Sequence, residues 1–301
     1  MKRYLHLATT LFFVLPLLFC RFASALPEIR PSILAGTWYP ADKEELLTTI
    51  KKFLSNAHIP PIHGQIKAII VPHAGYVYSG GVAAYAFKAI KGKKYKRIIM
   101  IGPCHRAFFY GVSVNLQKGY ETPLGIVKVD TEFAKKLIKE SDQIRYIPMA
   151  HAFEHCLEIE LPFLQVVLKK DFKIVPILMG EQDIHVCKEL AQAILKLIRR
   201  EKEPTLILAS SDLSHYHSYT EAVDMDKILI EHVRHMDPYG LNRDTISGKC
   251  EACGKGAIIT AILIAQKLGV KKAMVLKYAN SGDVTGDHSR VVGYMAAVLL
   301  K

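Results

Sequence analysis

The stretch Ala68-Ile69-Ile70-Val71-Pro72-His73-Ala74-Gly75-Tyr76-Val77-Tyr78-Ser79-Gly80 begins with a short apolar run that is mostly β-branched. Such a run is typical of a buried strand. Pro72 cannot donate a hydrogen bond to a neighbouring strand, so we expect the strand to end there. His73 is therefore placed at the carboxyl end of a strand, the edge at which open α/β sheets bind ligands.

Two later segments repeat this arrangement. One apolar run, Arg97-Ile98-Ile99-Met100-Ile101, leads into Gly102-Pro103-Cys104-His105. Another, Thr205-Leu206-Ile207-Leu208-Ala209, leads into Ser210-Ser211-Asp212-Leu213-Ser214-His215. Three buried strands that each deliver a polar loop with a histidine predict one site at one edge of a sheet.

The rest of the chain alternates helical and strand patterns within 301 residues, half of them hydrophobic and without repeats or long linkers. Helices are predicted at about 42–56 with Asp42 as N-cap, 80–90, 131–140 capped by Thr131, around 157–168 with a kink or a new start at Pro162, 183–200, 220–236 and 254–268. Further strands are predicted at 173–178, 272–278 and 291–300. This alternation predicts an α/β fold, a single domain layered α/β/α around a mixed, mostly parallel sheet.

The N-terminus has the pattern of a secretory signal peptide. Met1-Lys2-Arg3 is positive, 7–20 is almost wholly apolar, and Ala23-Ser24-Ala25 fits a cleavage site. We therefore divide the chain into a signal peptide at 1–25 and one domain at 26–301, and expect an exported, periplasmic protein. The apolar run is short for a membrane span, so we expect no stable membrane insertion after cleavage. An uncleaved membrane tether and a cytoplasmic protein with a misassigned start are the alternatives.

The formal net charge of +12 falls to +9 without Lys2, Arg3 and Arg21. The basic residues are spread along the chain and lack the interleaved aromatic residues of a nucleic-acid platform, so we expect no nucleic-acid partner. A solvated basic surface is the simplest interpretation.

Five cysteines remain beyond residue 25, an odd number that does not favour a disulfide framework. Cys250-x-x-Cys253 has three open interpretations: a redox pair, a disulfide, or part of a metal site. A four-thiolate zinc site is not favoured, because there is no second C-x-x-C. Cys253 also precedes a predicted helix, and a helix N-terminus lowers a thiol pKa and favours the thiolate.

The histidines suggest metal and acid–base chemistry. His73 and His105 are imidazoles on neighbouring strand ends, and imidazole binds iron, copper, zinc and nickel. Asp212 stands three residues before His215, a spacing that permits acid–base catalysis by His215. His155 lies near the start of its helix, where it could contact a substrate or a metal ligand. The sequence has no G-x-S-x-G nucleophile elbow, P-loop or Gly-rich dinucleotide fingerprint.

In these motifs the sequence resembles the Memo family, whose prokaryotic branch is called AmmeMemoRadiSam system protein B. The resemblance extends in order over about 30–300 and is specific when the motifs are taken together. The matching segments are Ala35-Gly36-Thr37-Trp38-Tyr39-Pro40, Val71 to Gly80, Gly102 to His105, Glu154-His155-Cys156-Leu157-Glu158-Ile159-Glu160-Leu161-Pro162-Phe163, Ser210 to His215 and Cys253-Gly254.

The resemblance implies a fold like that of class III extradiol dioxygenases and a copper or iron site. The implied metal ligands are His73, His105 and Cys253, with His215 at the position of the acid–base histidine. Asp212 and His155 match residues that line the pocket. The branch name also implies a functional link to a radical-SAM protein, from which export would separate this chain.

One departure keeps the activity open. Ring-cleaving dioxygenases complete a two-His site with a carboxylate, whereas the resemblance places Cys253 there and makes the site softer. Our leading hypothesis is a metal-binding protein with metal-dependent redox activity, although the resemblance does not establish that it is an enzyme. The alternatives are an iron extradiol-type dioxygenase and a non-enzymatic module that binds a peptide or small ligand in the pocket.

Overall fold

The computed structural model describes residues 27–169 and 171–301, so the signal peptide predicted at residues 1–25 lies outside it. The strands are β1 (Ile29–Arg30), β2 (Ile66–Val71), β3 (Arg97–Pro103), β4 (Val112–Val114), β5 (Gly119–Tyr120), β6 (Val127–Lys128), β7 (Ile144–Arg145), β8 (Lys173–Met179), β9 (Thr205–Ser210), β10 (His215–His217), β11 (Lys272–Asn280) and β12 (Val291–Leu300). The helices are α1 (Lys43–Asn56), α2 (Gly81–Ile90), α3 (Thr131–Ile138), α4 (Pro148–Ala152), α5 (Leu161–Val167), α6 (Ile184–Glu201), α7 (Tyr219–Arg234), α8 (Pro238–Ile246), α9 (Lys255–Lys267) and α10 (Gly282–Thr285). None of these helices is both long and apolar enough to cross a membrane.

The main sheet has the order β10-β12-β2-β9-β3-β8-β4-β7, and β11 pairs with β12 as well. The central strands β2, β9, β3 and β8 are parallel. At the flanks, β12 runs antiparallel to β2 and β4 runs antiparallel to β8. This mixed sheet confirms the predicted fold class.

Both faces of the sheet are covered by helices, which explains why the central strands are apolar without alternation. On β2, Ile69 and Val71 pack in the core that includes residues of α1, α2 and α5. Ala68 and Ile70 pack on the opposite face, in the core that includes residues of α3, α6, α7, α8 and α9. The chain is therefore one α/β/α domain.

Some local details differ from the sequence predictions. Asp42 caps α1 as predicted, but α3 is capped by Asp130 instead of Thr131, because Asp130 Oδ1 accepts the N–H of Phe133 at 3.2 Å. Pro162 lies in the first turn of α5, directly after a 3₁₀ turn at Glu158–Glu160, so of the two predicted outcomes it marks a new start and not a kink. Helix α8 was not predicted.

Candidate metal centre

Adjacent loops at the carboxyl edge of the sheet bring the predicted metal ligands together. Because β9 lies between β2 and β3, the loops that follow these strands are neighbours. They carry His73, Asp212 and His105, while Cys253 comes from the turn before α9. The candidate ligand atoms of His73, His105 and Cys253 lie within 4.8 Å of one another, and His73 Nε2 is 3.1 Å from Cys253 Sγ. This His-His-Cys arrangement fits the donor set of a metal site.

His73 is neutral, and its ring nitrogen Nε2 faces Cys253. Burial, followed by the charge of His105, lowers the pKa of His73 to about 3. Its Nδ1 lies 2.8 Å from Ser210 Oγ, which is 2.7 Å from the carbonyl oxygen of Cys156. A carbonyl only accepts hydrogen bonds, so the Ser210 hydroxyl donates to Cys156 and accepts from Nδ1–H of His73. The lone pair of Nε2 is then left facing Cys253, as a metal ligand requires.

Glu154 orients His105 in a similar way. Glu154 Oε1 is 2.9 Å from His105 Nδ1, and Oε2 accepts the backbone N–H of His105 at 2.5 Å. Burial opposes the ionisation of Glu154, but the hydrogen bond and charge of His105 and the charge of His155 outweigh it and lower the pKa of Glu154 to about 2. Glu154 is therefore a carboxylate that accepts from Nδ1–H, and Nε2 of His105 remains available for a metal.

Cys253 is a half-buried thiol in this arrangement, which corrects the thiolate expected from its place at a helix N-terminus. Burial, followed by the charge of Asp212, raises the pKa of Cys253 even though the backbone N–H of Asp212 donates to Sγ at 3.3 Å. Cys250 and Cys253 are both free, so the structure does not contain the disulfide that the sequence left open. A metal ion bound to the sulfur would reverse the effect of burial and hold the sulfur as a thiolate.

Asp212 and His215 lie near the candidate ligands without belonging to their group. Asp212 Oδ1 accepts the backbone N–H of His73 at 2.8 Å. Burial raises the pKa of Asp212 to about 6, against the effects of that hydrogen bond and of the charge of His215. His215 is half-buried on β10, and its backbone N–H donates to Glu251 at 3.3 Å. A carboxyl group with this pKa beside a metal site suits proton transfer.

His155 lies among the candidate ligands. Its ring is stacked on His105 at a centroid distance of 4.5 Å and is 5.5 Å from the ring of His73. Burial, followed by the charge of His73, lowers the pKa of His155 to about 3. Its buried Nδ1 has no hydrogen-bond partner among the described residues, although Glu154 Oε1 is 3.2 Å away in an unfavourable direction. His155 is therefore a neutral ring packed against both candidate ligand imidazoles.

The N-terminal segment reaches the site and is fixed by a buried ion pair. Arg30 Nη1 and Glu158 Oε2 are 2.5 Å apart, with side chains only 1% and 0% exposed. Glu158 Oε1 also accepts the hydroxyl of Tyr39 at 2.8 Å. Between these anchors, Trp38 places its ring 4.6 Å from that of His155. The segment therefore supplies an aromatic wall to the site.

Ser210 and Glu154 are candidate functional residues that the sequence patterns do not single out. Serine and glutamate at strand and helix ends usually serve as caps or surface groups, and nothing in the sequence shows that these two are buried. The available signal was their position in two distinctive motifs, with Ser210 two residues before Asp212 and Glu154 directly before His155.

Two other features are weaker candidates. His105, Glu154 and Cys156 also form a group with metal-ligand spacing, but Glu154 already accepts hydrogen bonds from the backbone of His105, His155 and Cys156 and from Nδ1 of His105. A cavity of about 590 Å³ lies near the amino ends of β3 and β8, and its lining has acidic and basic side chains but neither histidine nor cysteine. The carboxyl edge is the better site.

Similar proteins cover most of this chain. Relatives described as MEMO1 family proteins are 37% identical over 272 residues in Nitrosopumilus maritimus, 37% over 278 residues in Ignicoccus hospitalis and 36% over 278 residues in Aquifex aeolicus. The matches cover 89%, 89% and 91% of this chain and 98%, 97% and 100% of the relatives, in the same order.

A crystal structure of the uncharacterized protein JW3007 from Escherichia coli K12 has a similar fold, with a TM-score of 0.53 and 11% identity. The match covers 79% of this chain and 100% of that one, and it supports the fold alone. The family model described as Memo-like protein matches residues 30–298. With this match over nearly the whole domain, and with relatives of such identity and coverage, the chain belongs to the Memo family.

Proposed function

We propose that this protein binds copper or iron through His73, His105 and Cys253 and uses the metal in redox chemistry. The observation that supports the proposal most strongly is the convergence of two imidazoles and one sulfur within 4.8 Å, with the other nitrogen of each imidazole already hydrogen-bonded. Imidazole and thiolate ligands suit copper and iron. When bound, such a metal would supply electron transfer or polarise a ligand.

Within this proposal the surrounding side chains have separate roles. Ser210 and Glu154 hold the two imidazoles in the ligand tautomer. Asp212 and His215 exchange a proton with the bound molecule, since burial raises the pKa of Asp212 to about 6 and its carboxyl group lies beside His73. His155 contacts that molecule through its ring, which lines the adjacent cavity.

Metal content of ligand variants tests the proposal. The full chain is purified anaerobically, stripped with a chelator, loaded separately with Cu(I), Fe(II) or Zn(II), and analysed by mass spectrometry of the elements. We expect about one equivalent of copper or iron per chain, as one group of three ligands implies. His73→Ala, His105→Ala and Cys253→Ala should lose this metal, whereas His63→Ala, which alters an exposed histidine, should retain it.

Full occupancy in any of the three ligand variants would show that the ligand assignment is wrong. Strong binding of zinc with no retention of copper or iron would contradict the redox role. Circular dichroism of each variant identifies a loss of metal that results from unfolding.

A non-enzymatic role in ligand binding is a second candidate, favoured by a cavity of about 400 Å³ beside His155. It predicts that a ligand binds equally well before and after the metal is removed. Metal-dependent binding or oxygen consumption in the presence of the ligand would favour the redox role instead.

A further inference from the structure

The cavity beside the candidate metal centre has a mixed lining. Its volume is about 400 Å³, and most of its wall is apolar or aromatic, with one guanidinium and one imidazole. The lining residues are Ile33, Leu34, Trp38, Arg106, Phe153 and His155. A mostly apolar cavity with a few polar groups is the usual form of a small-molecule site.

The cavity and the candidate metal centre share His155. The ring of His155 is 4.6 Å from the ring of Trp38 on the cavity side and 4.5 Å from the ring of His105 on the metal side. A molecule that fills the cavity therefore touches the ring that is stacked on a candidate ligand. The cavity is in the right place to hold whatever the metal centre acts on.

Arg106 brings a positive charge to the cavity that the described residues do not neutralise. It is exposed and forms no ion pair within the described part of the chain. The Glu154 carboxylate already accepts hydrogen bonds from the backbone and ring of His105 and from the backbone of His155. A guanidinium is shaped to pair with a planar carboxylate through two parallel hydrogen bonds.

We propose that the cavity binds a carboxylate with a flat apolar body, which lies against Trp38 and Phe153 while its anionic group pairs with Arg106. The inference rests on the proposed function, because it names the class of molecule that the metal centre receives. A neutral amide of the same shape offers the guanidinium one uncharged carbonyl oxygen in place of two charged carboxylate oxygens, and would bind more weakly.

Trp38 provides a direct measurement, since it is the only tryptophan in the chain. The probes are 3-phenylpropanoate and 3-phenylpropanamide, which have the same shape and differ in charge. Titration of the purified protein should give a saturable change in Trp38 emission with the acid, and binding of the amide should be about tenfold weaker or more.

The variant Arg106→Gln should remove the preference for the acid, leaving both probes at similar affinity. Arg243→Gln is the matched control, because Arg243 is an exposed arginine on α8 with a side chain 70% exposed, outside the cavity lining. The proposal is overturned if the acid does not bind, if acid and amide bind alike, or if Arg106→Gln retains the preference.

Metal content measured on the same samples separates this inference from the proposed function. Normal metal stoichiometry without a preference for the acid overturns the carboxylate site alone. A clear preference for the acid in a protein that binds neither copper nor iron overturns the proposed metal function and leaves the cavity assignment standing.

Discussion

The ligand geometry depends on a layer of buried groups behind the two histidines. Ser210 Oγ accepts from His73 and lies 3.0 Å from Glu160 Oε1. Burial raises the pKa of Glu160 well above its usual value, although its hydrogen bond to Ser210 opposes this. The neutral carboxyl of Glu160 can donate to Ser210, and Ser210 donates its own proton to the carbonyl oxygen of Cys156. Each donor in this series of hydrogen bonds therefore has an acceptor. His105 is oriented instead by an ionised carboxylate, Glu154.

Ser210→Ala should weaken metal binding although none of the three candidate ligand residues is changed. Without the hydroxyl, Nδ1–H of His73 loses its acceptor and the ring is free to rotate or change tautomer. Loss of such an outer partner lowers metal affinity about tenfold or more. Competition with a coloured chelator measures the affinity of wild type and variant.

Ser214→Ala is the matched control for this experiment. Ser214 is a buried serine on the same loop, and its Oγ has no hydrogen-bond partner among the described residues. Its removal should leave the metal affinity unchanged. Equal affinities for Ser210→Ala and Ser214→Ala would show that Ser210 does not orient His73.

At the scale of single elements, sequence periodicity predicted the central strands and the long helices well. Buried parallel strands are continuous apolar runs and α6 is amphipathic, so both have strong local signals. Helix α8 has only three buried residues, Pro238, Gly240 and Leu241, which is too weak a stripe to detect. The cap of α3 was displaced by one residue because Asp130 and Thr131 are both good N-caps, and only the structure shows which side chain accepts the hydrogen bond.

Helix α7 presents a buried carboxyl group, Asp226, whose protonation is linked to stability. Its Oδ1 accepts the backbone N–H of Ser214 at 2.9 Å and its Oδ2 accepts the hydroxyl of Tyr278 at 2.8 Å. Burial raises the pKa of Asp226 above its usual value in spite of these hydrogen bonds. The folded chain therefore holds this proton more tightly than the unfolded chain does.

The sign of the pH dependence follows from that difference. The stabilisation from protonated Asp226 is fully present below the unfolded pKa, near 4, and is lost as the pH rises through the folded pKa. The unfolding free energy of the wild type, relative to Asp226→Asn, should therefore fall as the pH rises from about 4. Urea denaturation of both proteins over a pH series measures this difference in unfolding free energy. Asp224→Asn changes an exposed residue on the same helix, so its unfolding free energy should vary with pH as that of the wild type does. The same pH dependence for Asp226→Asn and the wild type would refute the linkage.

At the scale of the whole molecule, the site exists because of the order of the strands. β2, β3 and β9 are far apart in the sequence, but β9 lies between the other two in the sheet. The sequence predicted that each strand ends in a polar loop, and strand ends at one edge gave a reason to expect His73 and His105 together. Neither the strand order nor the entry of Cys253 from the turn before α9 follows from local patterns, because both depend on contacts between distant segments. The Memo-family resemblance supplied the expectation that Cys253 joins the two histidines, and no strand order was predicted.

The buried Arg30–Glu158 pair determines how much of the N-terminal segment the domain needs. The Arg30 guanidinium also donates to the carbonyl oxygens of His151 and Glu154, at 2.6 and 2.7 Å. Deletion of residues 1–25, the predicted signal peptide, leaves all of these contacts, so metal content and unfolding free energy should match those of the full chain. Cleavage of the predicted signal peptide would make Leu26 the first residue found by N-terminal sequencing of the mature protein.

Deletion of residues 1–31 should have a different result, because it removes Arg30 and leaves the Glu158 carboxylate buried without its cation. Breaking a buried pair in this way costs about 3–5 kcal/mol of unfolding free energy. Since the same pair anchors the segment that carries Trp38, the emission of Trp38 should also move to longer wavelength as its ring gains water. Urea denaturation followed by Trp38 emission and by circular dichroism measures both effects. If the 1–31 deletion is as stable as the 1–25 deletion and keeps its emission maximum, the ion pair does not fix Trp38 beside the metal centre.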